Sequence, residues 1–233
     1  MKKLELFSTL LKNTSTILYD FDGVLVDSEK FYYLSYKKPF ATLGHKLMAE
    51  EYWEFWTSLG QGVIGELNRY NLSFSKKTIK WIYEERKKNY SEFVNKGKIK
   101  FIPSSYRTIK LFNTMGKQTI IASNSYEKDL KKIFQMNKKS PEIELIGRKE
   151  GLRAKPEPDI FLYAAGFLHA EPKSCFVIED AHKGLFAAKK VGMKCAIIQN
   201  EHNKDLTFDD ADIIFDSYKE FFELTKKIYE TKK

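Results

Sequence analysis

Asp20 and Asp22 stand one residue apart in DFDGVLVDSE, after an apolar run and before a glycine. Successive side chains on a strand point to opposite faces, so a buried strand over Thr16 to Tyr19 would release Asp20 where the strand emerges. Asp22 can then face the same crevice, and Gly23 permits the tight exit. Unpaired carboxylates this close repel one another. The pair therefore suggests a bound divalent cation, a shared proton, or a division of labour between nucleophile and acid/base. A surface turn and a calcium loop are the alternatives, since Asp and Gly are good turn formers. The acidic positions of a calcium loop do not fall at the required spacing here.

Positioning such a pair takes a sheet. TILYD (16–20), QTIIAS (118–123), SCFVIED (174–180), CAIIQN (195–200) and ADIIF (211–215) read as buried parallel strands. Segments of helical period lie between most of them: Tyr106 to Met115, Asp159 to Gly166 and Lys183 to Val191. Alternating strands and helices predict an α/β fold with a Rossmann-like, doubly wound parallel sheet. The rhythm breaks between about residues 30 and 100, where aromatic residues recur at helical spacing and no strand pattern is found. This interval predicts an inserted α-helical cap over the carboxyl end of the first strand. The expected division is residues 1–28 and 101–233 for the core and 29–100 for the cap.

Ligands of open α/β sheets bind outside the carboxyl ends of the strands. Each expected strand end carries polar chemistry: Asp20 and Asp22, then Ser123 and Asn124, then Glu179 and Asp180. Between the last two pairs lies AKPEPDIF, with Lys155 ahead of what reads as a helix entry.

DFDGVLVDSE, IIASNS, AKPEPDIF and IEDAHKGLFAAKKVGM, in that order, resemble the four motifs of the haloacid dehalogenase superfamily, in the branch of phosphohydrolases with a helical cap. The resemblance implies that Asp20 attacks phosphorus and that Asp22 is the acid/base. It further implies Mg²⁺ held by Asp20, Asp180, the carbonyl of Asp22, and Glu179 either directly or through water. Ser123 would bind a phosphoryl oxygen beside Asn124, and Lys155 would offset charge on nucleophile and phosphoryl group.

Within that resemblance the second aspartate favours phosphoryl transfer over dehalogenation. A β-phosphoglucomutase-like mutase is the nearest rival. Such mutases carry a histidine ten residues beyond the acid/base aspartate, where this chain has Tyr32, and a lysine after the second motif, where it has Tyr126 and Glu127. Both departures favour hydrolysis of a small phosphorylated metabolite. Cap residues would set the substrate: Tyr32, Tyr33 and Tyr36, together with the glycine-rich stretch 60–69 read as a loop ending in Arg69. Ser28 and its neighbours would hinge the cap. His182 is expected in solvent, and His45, His169 and His202 as structural or exposed.

Composition sets the outer limits. A chain of 233 residues, 42% hydrophobic, can bury a sizeable core. Its two cysteines, Cys175 and Cys195, sit in apolar stretches without metal-ligand spacing, which fits core residues in a reduced, cytoplasmic compartment. The start, MKKLELFSTLLKNTST, reads as an amphipathic helix rather than a secretory leader. No stretch approaches the roughly 20 apolar residues that span a bilayer, so no membrane partner is expected. The net charge of +9 comes from lysines scattered along the chain rather than a basic stripe. Nucleic acid is therefore not an expected partner, and a non-catalytic binder with a basic surface is the reading from another class. The expected state is a monomer or weak dimer.

Overall fold

The computed structural model describes residues 2–231. Six parallel strands form the main sheet, with α1 (Lys2–Lys12) ahead of β1 (Thr16–Tyr19). The chain then makes β2 (Val26–Asp27), the helices α2 (Glu29–Thr42), α3 (Ala49–Glu51), a π-helical turn (Tyr52–Ser58), α4 (Gly62–Arg69) and α5 (Lys76–Asn95), and returns through β3 (Lys100–Phe101). From there α6 (Ser105–Thr114), β4 (Gln118–Ala122), α7 (Glu127–Met136), β5 (Glu144–Ile146) and α8 (Asp159–Phe167) follow. A 3₁₀ turn precedes β6 (Cys175–Glu179), α9 (His182–Lys190), β7 (Lys194–Ile198), β8 (Ile213–Phe215) and α10 (Tyr218–Glu230).

The sheet runs β5-β4-β1-β6-β7-β8. The chain winds outward from β1 through β4 to β5, then crosses back to β6 on the other side of β1. The reversal puts the topological switch point at the carboxyl end of β1, the crevice where open α/β sheets bind ligands. Strand residues alternate between two cores, as a period of two requires. Ile17, Tyr19, Ile121, Phe176 and Ile178 pack with α1, α6, α7 and α10, through residues such as Phe7, Phe112, Leu130 and Phe221. Leu18, Ile120, Ala122, Cys175, Val177 and Cys195 pack with Ile160, Phe161 and Leu185 on α8 and α9. Both cysteines are buried and free.

The helical insert has a third apolar cluster of its own, built on Phe40, Leu47, Tyr52, Trp56, Val63, Leu67 and Ile82. Its exit and return are paired side by side, Val26 with Phe101 and Asp27 with Lys100. Four elements differ from the sequence expectation. β5, with three residues, and the two-residue strands β2 and β3 are too short for a period to show. Residues 62–69 form α4 rather than a loop. Among the described residues no helix is long and apolar enough to cross a membrane.

Candidate active site

Asp20 follows β1 directly, and its N–H donates to the Ile178 carbonyl at 2.9 Å. The turn that follows depends on Gly23, whose φ is +75°. A Cβ there would overlap Asp180 Oδ2, so only glycine lets the turn lie against that carboxylate. Ser123 directly follows β4, Glu179 ends β6 and Asp180 directly follows it, so parallel register brings the three strand ends together.

Lys155 Nζ joins them. It donates to Asp20 Oδ1 at 2.6 Å, to Glu179 Oε1 at 2.7 Å and to the Ala122 carbonyl at 2.9 Å. Burial alone would depress this ammonium, yet Asp20 and Glu179 overcome it and raise its pKa. Burial raises the Glu179 carboxyl, with Lys155 pulling the other way. The second Glu179 oxygen accepts the Asp180 N–H at 3.1 Å. Asn124 Oδ1 accepts the Lys155 N–H at 3.1 Å and so fixes the lysine's backbone.

Asp22 lies in a different environment. Its Oδ1 accepts from Ser28 Oγ at 2.6 Å, and its Oδ2 from Ser125 Oγ at 2.5 Å and Ser123 Oγ at 3.4 Å. Burial, and then the Asp20 charge, push its pKa up to about 6, against the pull of Ser125, Ser28 and Lys183. One carboxylate therefore meets an ammonium while its neighbour can hold a proton near neutrality. Groups separated in this way can share acid/base and nucleophilic work.

Carboxylate oxygens of Asp20, Glu179 and Asp180 lie within 4.8 Å of one another. Burial, and then Glu29, Glu179 and Asp20, push the Asp180 carboxyl well above the usual range. Oxygen donors crowded with this excess of negative charge fit a hard divalent cation.

A cavity of about 190 Å³ opens above these groups. Asp20, Asp22, Ser123, Asn124, Lys155 and Asp180 line it from the core. From the insert come Glu29, Tyr32 and Tyr36, which share one face of α2 at helical spacing. Tyr33, one residue round, faces elsewhere: its hydroxyl donates to the Leu47 carbonyl, and its ring packs on Tyr52 and Trp53. Arg69 also lies outside the cavity, paired with Glu66 and Glu51 at the end of α4. Of the insert residues expected to contact substrate, Tyr32 and Tyr36 line this cavity and Tyr33 and Arg69 do not.

Sequence reading missed Glu29, Arg86, Arg148, Lys183 and Ser125, all of which line the cavity. The Arg86 side chain hydrogen-bonds Tyr36, and its Nε is buried without a hydrogen-bond partner among the described residues. Burial raises Glu29 to about 7, opposed by Lys183. His182 is not a free solvent group either, since its ring bonds Ser58 and Thr207. His45 is structural, with Nε2 2.7 Å from Glu66.

The sequence matches the haloacid dehalogenase-like hydrolase family over residues 17–198. A CBBY-like protein of Arabidopsis thaliana is 26% identical over 226 residues, covering 90% of this chain and 70% of that protein. A phosphorylated carbohydrates phosphatase of Thermotoga maritima is 25% identical over 195 residues, covering 76% of this chain and 82% of its own. Among solved structures, CbbY from Rhodobacter sphaeroides in complex with xylulose-(1,5)bisphosphate superposes with a TM-score of 0.74 at 24% identity, covering 88% and 94% of the two chains. That likeness shows the fold.

Proposed function

The chain belongs to the haloacid dehalogenase-like hydrolase family, as an enzyme of phosphatase type, and on that premise we propose a magnesium-dependent phosphomonoesterase acting on a small phosphorylated carbohydrate. The observation that carries the mechanism is the contrast between neighbours: Asp20 against the Lys155 ammonium at 2.6 Å, Asp22 protonatable up to about pH 6.

An Asp20 carboxylate oxygen attacks phosphorus, and the bond from phosphorus to the ester oxygen breaks. Asp22 gives its proton to the leaving oxygen. The Asp22 carboxylate then takes a proton from the water that attacks the aspartyl-phosphate, which releases phosphate and restores Asp20. Ser123 and Asn124 hold the phosphoryl end, and Lys155 balances charge on Asp20 and the transferred group. Mg²⁺ held by Asp20, Asp180 and the Asp22 carbonyl would supply further neutralisation between anionic nucleophile and anionic ester. Glu179, with both oxygens engaged, is assigned to holding Lys155 and the Asp180 backbone. Residues 29–100 serve as the cap that closes the site.

Arg86 from the insert and Arg148 from the core both line the cavity, along with Lys183. The unpartnered Arg86 Nε supports recognition of a second anionic group on the substrate. A bisphosphorylated sugar or sugar acid phosphate fits this arrangement, and the CbbY complex holds a sugar of that class, xylulose-(1,5)bisphosphate. Release of inorganic phosphate from a panel of mono- and bisphosphorylated sugars, nucleotides and flavin mononucleotide tests this reading. Hydrolysis that needs Mg²⁺ and favours doubly anionic sugars supports it. Conversion to an isomeric sugar phosphate without phosphate release, as a mutase gives, would replace it.

A further inference from the structure

We propose that the π-helical turn Tyr52–Ser58 is a docking foot, and that the bond from Ser58 to His182 holds the insert closed over the catalytic centre. Ser58 and His182 are then positioning residues for the phosphatase reaction, an inference that rests on the proposed activity.

His182 is fixed from the core side. Its ring stacks on Phe208 at 4.3 Å and 19°, and Nε2 lies 2.7 Å from the Thr207 carbonyl. A carbonyl only accepts, so Nε2 carries the hydrogen and Nδ1 of the neutral ring is left as an acceptor. The Ser58 hydroxyl donates to it at 2.7 Å. In return Ser58 Oγ accepts the His182 backbone N–H at 3.3 Å. The N-cap of α9 is Ala181, which has no side-chain oxygen, so the insert supplies the acceptor that the helix's own sequence lacks. Ser58 is 2% exposed, and both of its bonds to His182 are partly buried.

A second contact comes from the same turn. The Trp53 ring lies on His202 of the core with centroids 4.0 Å apart. Residues five apart on an α-helix point about 140° away from one another, so Trp53 and Ser58 could not both face the core from one. Here the turn closes through i to i+5 bonds, with Leu59 N–H donating to Glu54 O at 3.1 Å, and residues five apart come onto one side. π-helical winding is thus what gives the insert a two-point footing.

The footing lies beside the chemistry. Thr57 Oγ1 donates to Glu29 Oε2 at 3.0 Å in the cavity wall. A Cβ on Gly60 would sit 3.4 Å from Lys183 Cδ and 3.7 Å from the Lys155 carbonyl, so the next loop lies on the core's phosphate end. Releasing Ser58 from His182 frees this loop to lift, which matters for a substrate that both halves must grip and little for one held by the core alone.

Two histidine replacements separate the halves of the ring. His182→Asn keeps an acceptor near the Nδ1 position, and His182→Gln keeps a donor near Nε2 but offers nothing to Ser58. The test is steady-state kinetics on p-nitrophenyl phosphate and on the best sugar phosphate of the panel, with hydrogen–deuterium exchange over residues 52–61. For Ser58→Ala and His182→Gln we expect KM for the sugar phosphate to rise roughly five- to tenfold, the scale of one net hydrogen bond, with p-nitrophenyl phosphate turnover unchanged. Exchange over residues 52–61 rises in the same two variants and stays at the wild-type level in His182→Asn. Equal losses on both substrates, or unchanged exchange in Ser58→Ala, would overturn the proposal. Wild-type protein inactive on every ester would sink the phosphatase reading, while the exchange comparison would still decide the docking foot.

Discussion

Tyr32 reaches Asp22 through one hydroxyl: its own oxygen lies 2.6 Å from Ser125 Oγ, which donates to Asp22 Oδ2 at 2.5 Å. With its hydrogen committed to the carboxylate, Ser125 must accept from Tyr32. The first insert helix therefore steadies the proposed acid/base at the position where mutases of this superfamily carry histidine. We predict that Ser125→Ala slows hydrolysis of alkyl phosphates about tenfold or more, and that Tyr32→Phe has a smaller effect in the same direction. Single-turnover rates on an alkyl phosphate check both, and a larger loss from Tyr32→Phe would refute the relay.

The pH profile follows from the same carboxyl. Asp22, raised to about 6, is protonated at higher pH than an ordinary aspartate. For a poor leaving group that needs its proton, kcat/KM falls as pH rises through the Asp22 pKa, which Mg²⁺ bound beside it draws below the metal-free value of about 6. Ser125→Ala removes a bond that holds the pKa down, so the fall moves to higher pH. p-Nitrophenyl phosphate, whose leaving group needs no proton, does not show this limb. Parallel profiles for the two substrates would contradict the assignment.

Stability without a divalent cation should decline with rising pH. Asp22 and Glu29 have folded pKa values of about 6 and about 7, above their ordinary values of 3.8 and 4.5. The folded state then holds protons that the unfolded chain has released. Stability present at pH 4 is lost as pH climbs through these folded values, on the order of 3 kcal/mol from Asp22 alone. Mg²⁺ bound to the folded state offsets the loss at pH 8. Denaturant midpoints at pH 5 and pH 8, each with EDTA and with Mg²⁺, measure it. A midpoint in EDTA that rises between those pH values would refute the electrostatic account.

Much of the core site was legible because strand chemistry has a period and an end. β1, β4 and β6 read as apolar runs, and the residues that terminate them, Asp20, Ser123 and Asp180, meet because parallel strands in register end together. The cavity roof was not legible. Glu29, Arg86 and Arg148 come from a helical face, a distant helix and a loop after a three-residue strand, and no fixed spacing ties them to Asp20. Tyr33 and Arg69 looked equivalent to Tyr32 and Tyr36 as residue types. Helical phase turns Tyr33 into the insert's own core, and two glutamates hold Arg69. His182 read as solvent-facing because its partners, Ser58 and Thr207, are far away in sequence.

Arg86 and Arg148 should discriminate between substrates. Replacing either with Met should raise KM for a bisphosphorylated sugar by about ten- to a hundredfold, the loss of one charged hydrogen bond, and leave p-nitrophenyl phosphate turnover nearly unchanged. Equal effects on both esters would move these arginines from substrate recognition to general support of the site.

Covalent capture of the intermediate tests the central claim most directly. Enzyme quenched during turnover with Mg²⁺ and treated with borohydride should show, by peptide mass spectrometry, aspartate reduced to homoserine at Asp20 and at no other carboxylate. Label at Asp22 or Asp180, or undiminished phosphate release by Asp20→Asn, would contradict Asp20 as the nucleophile.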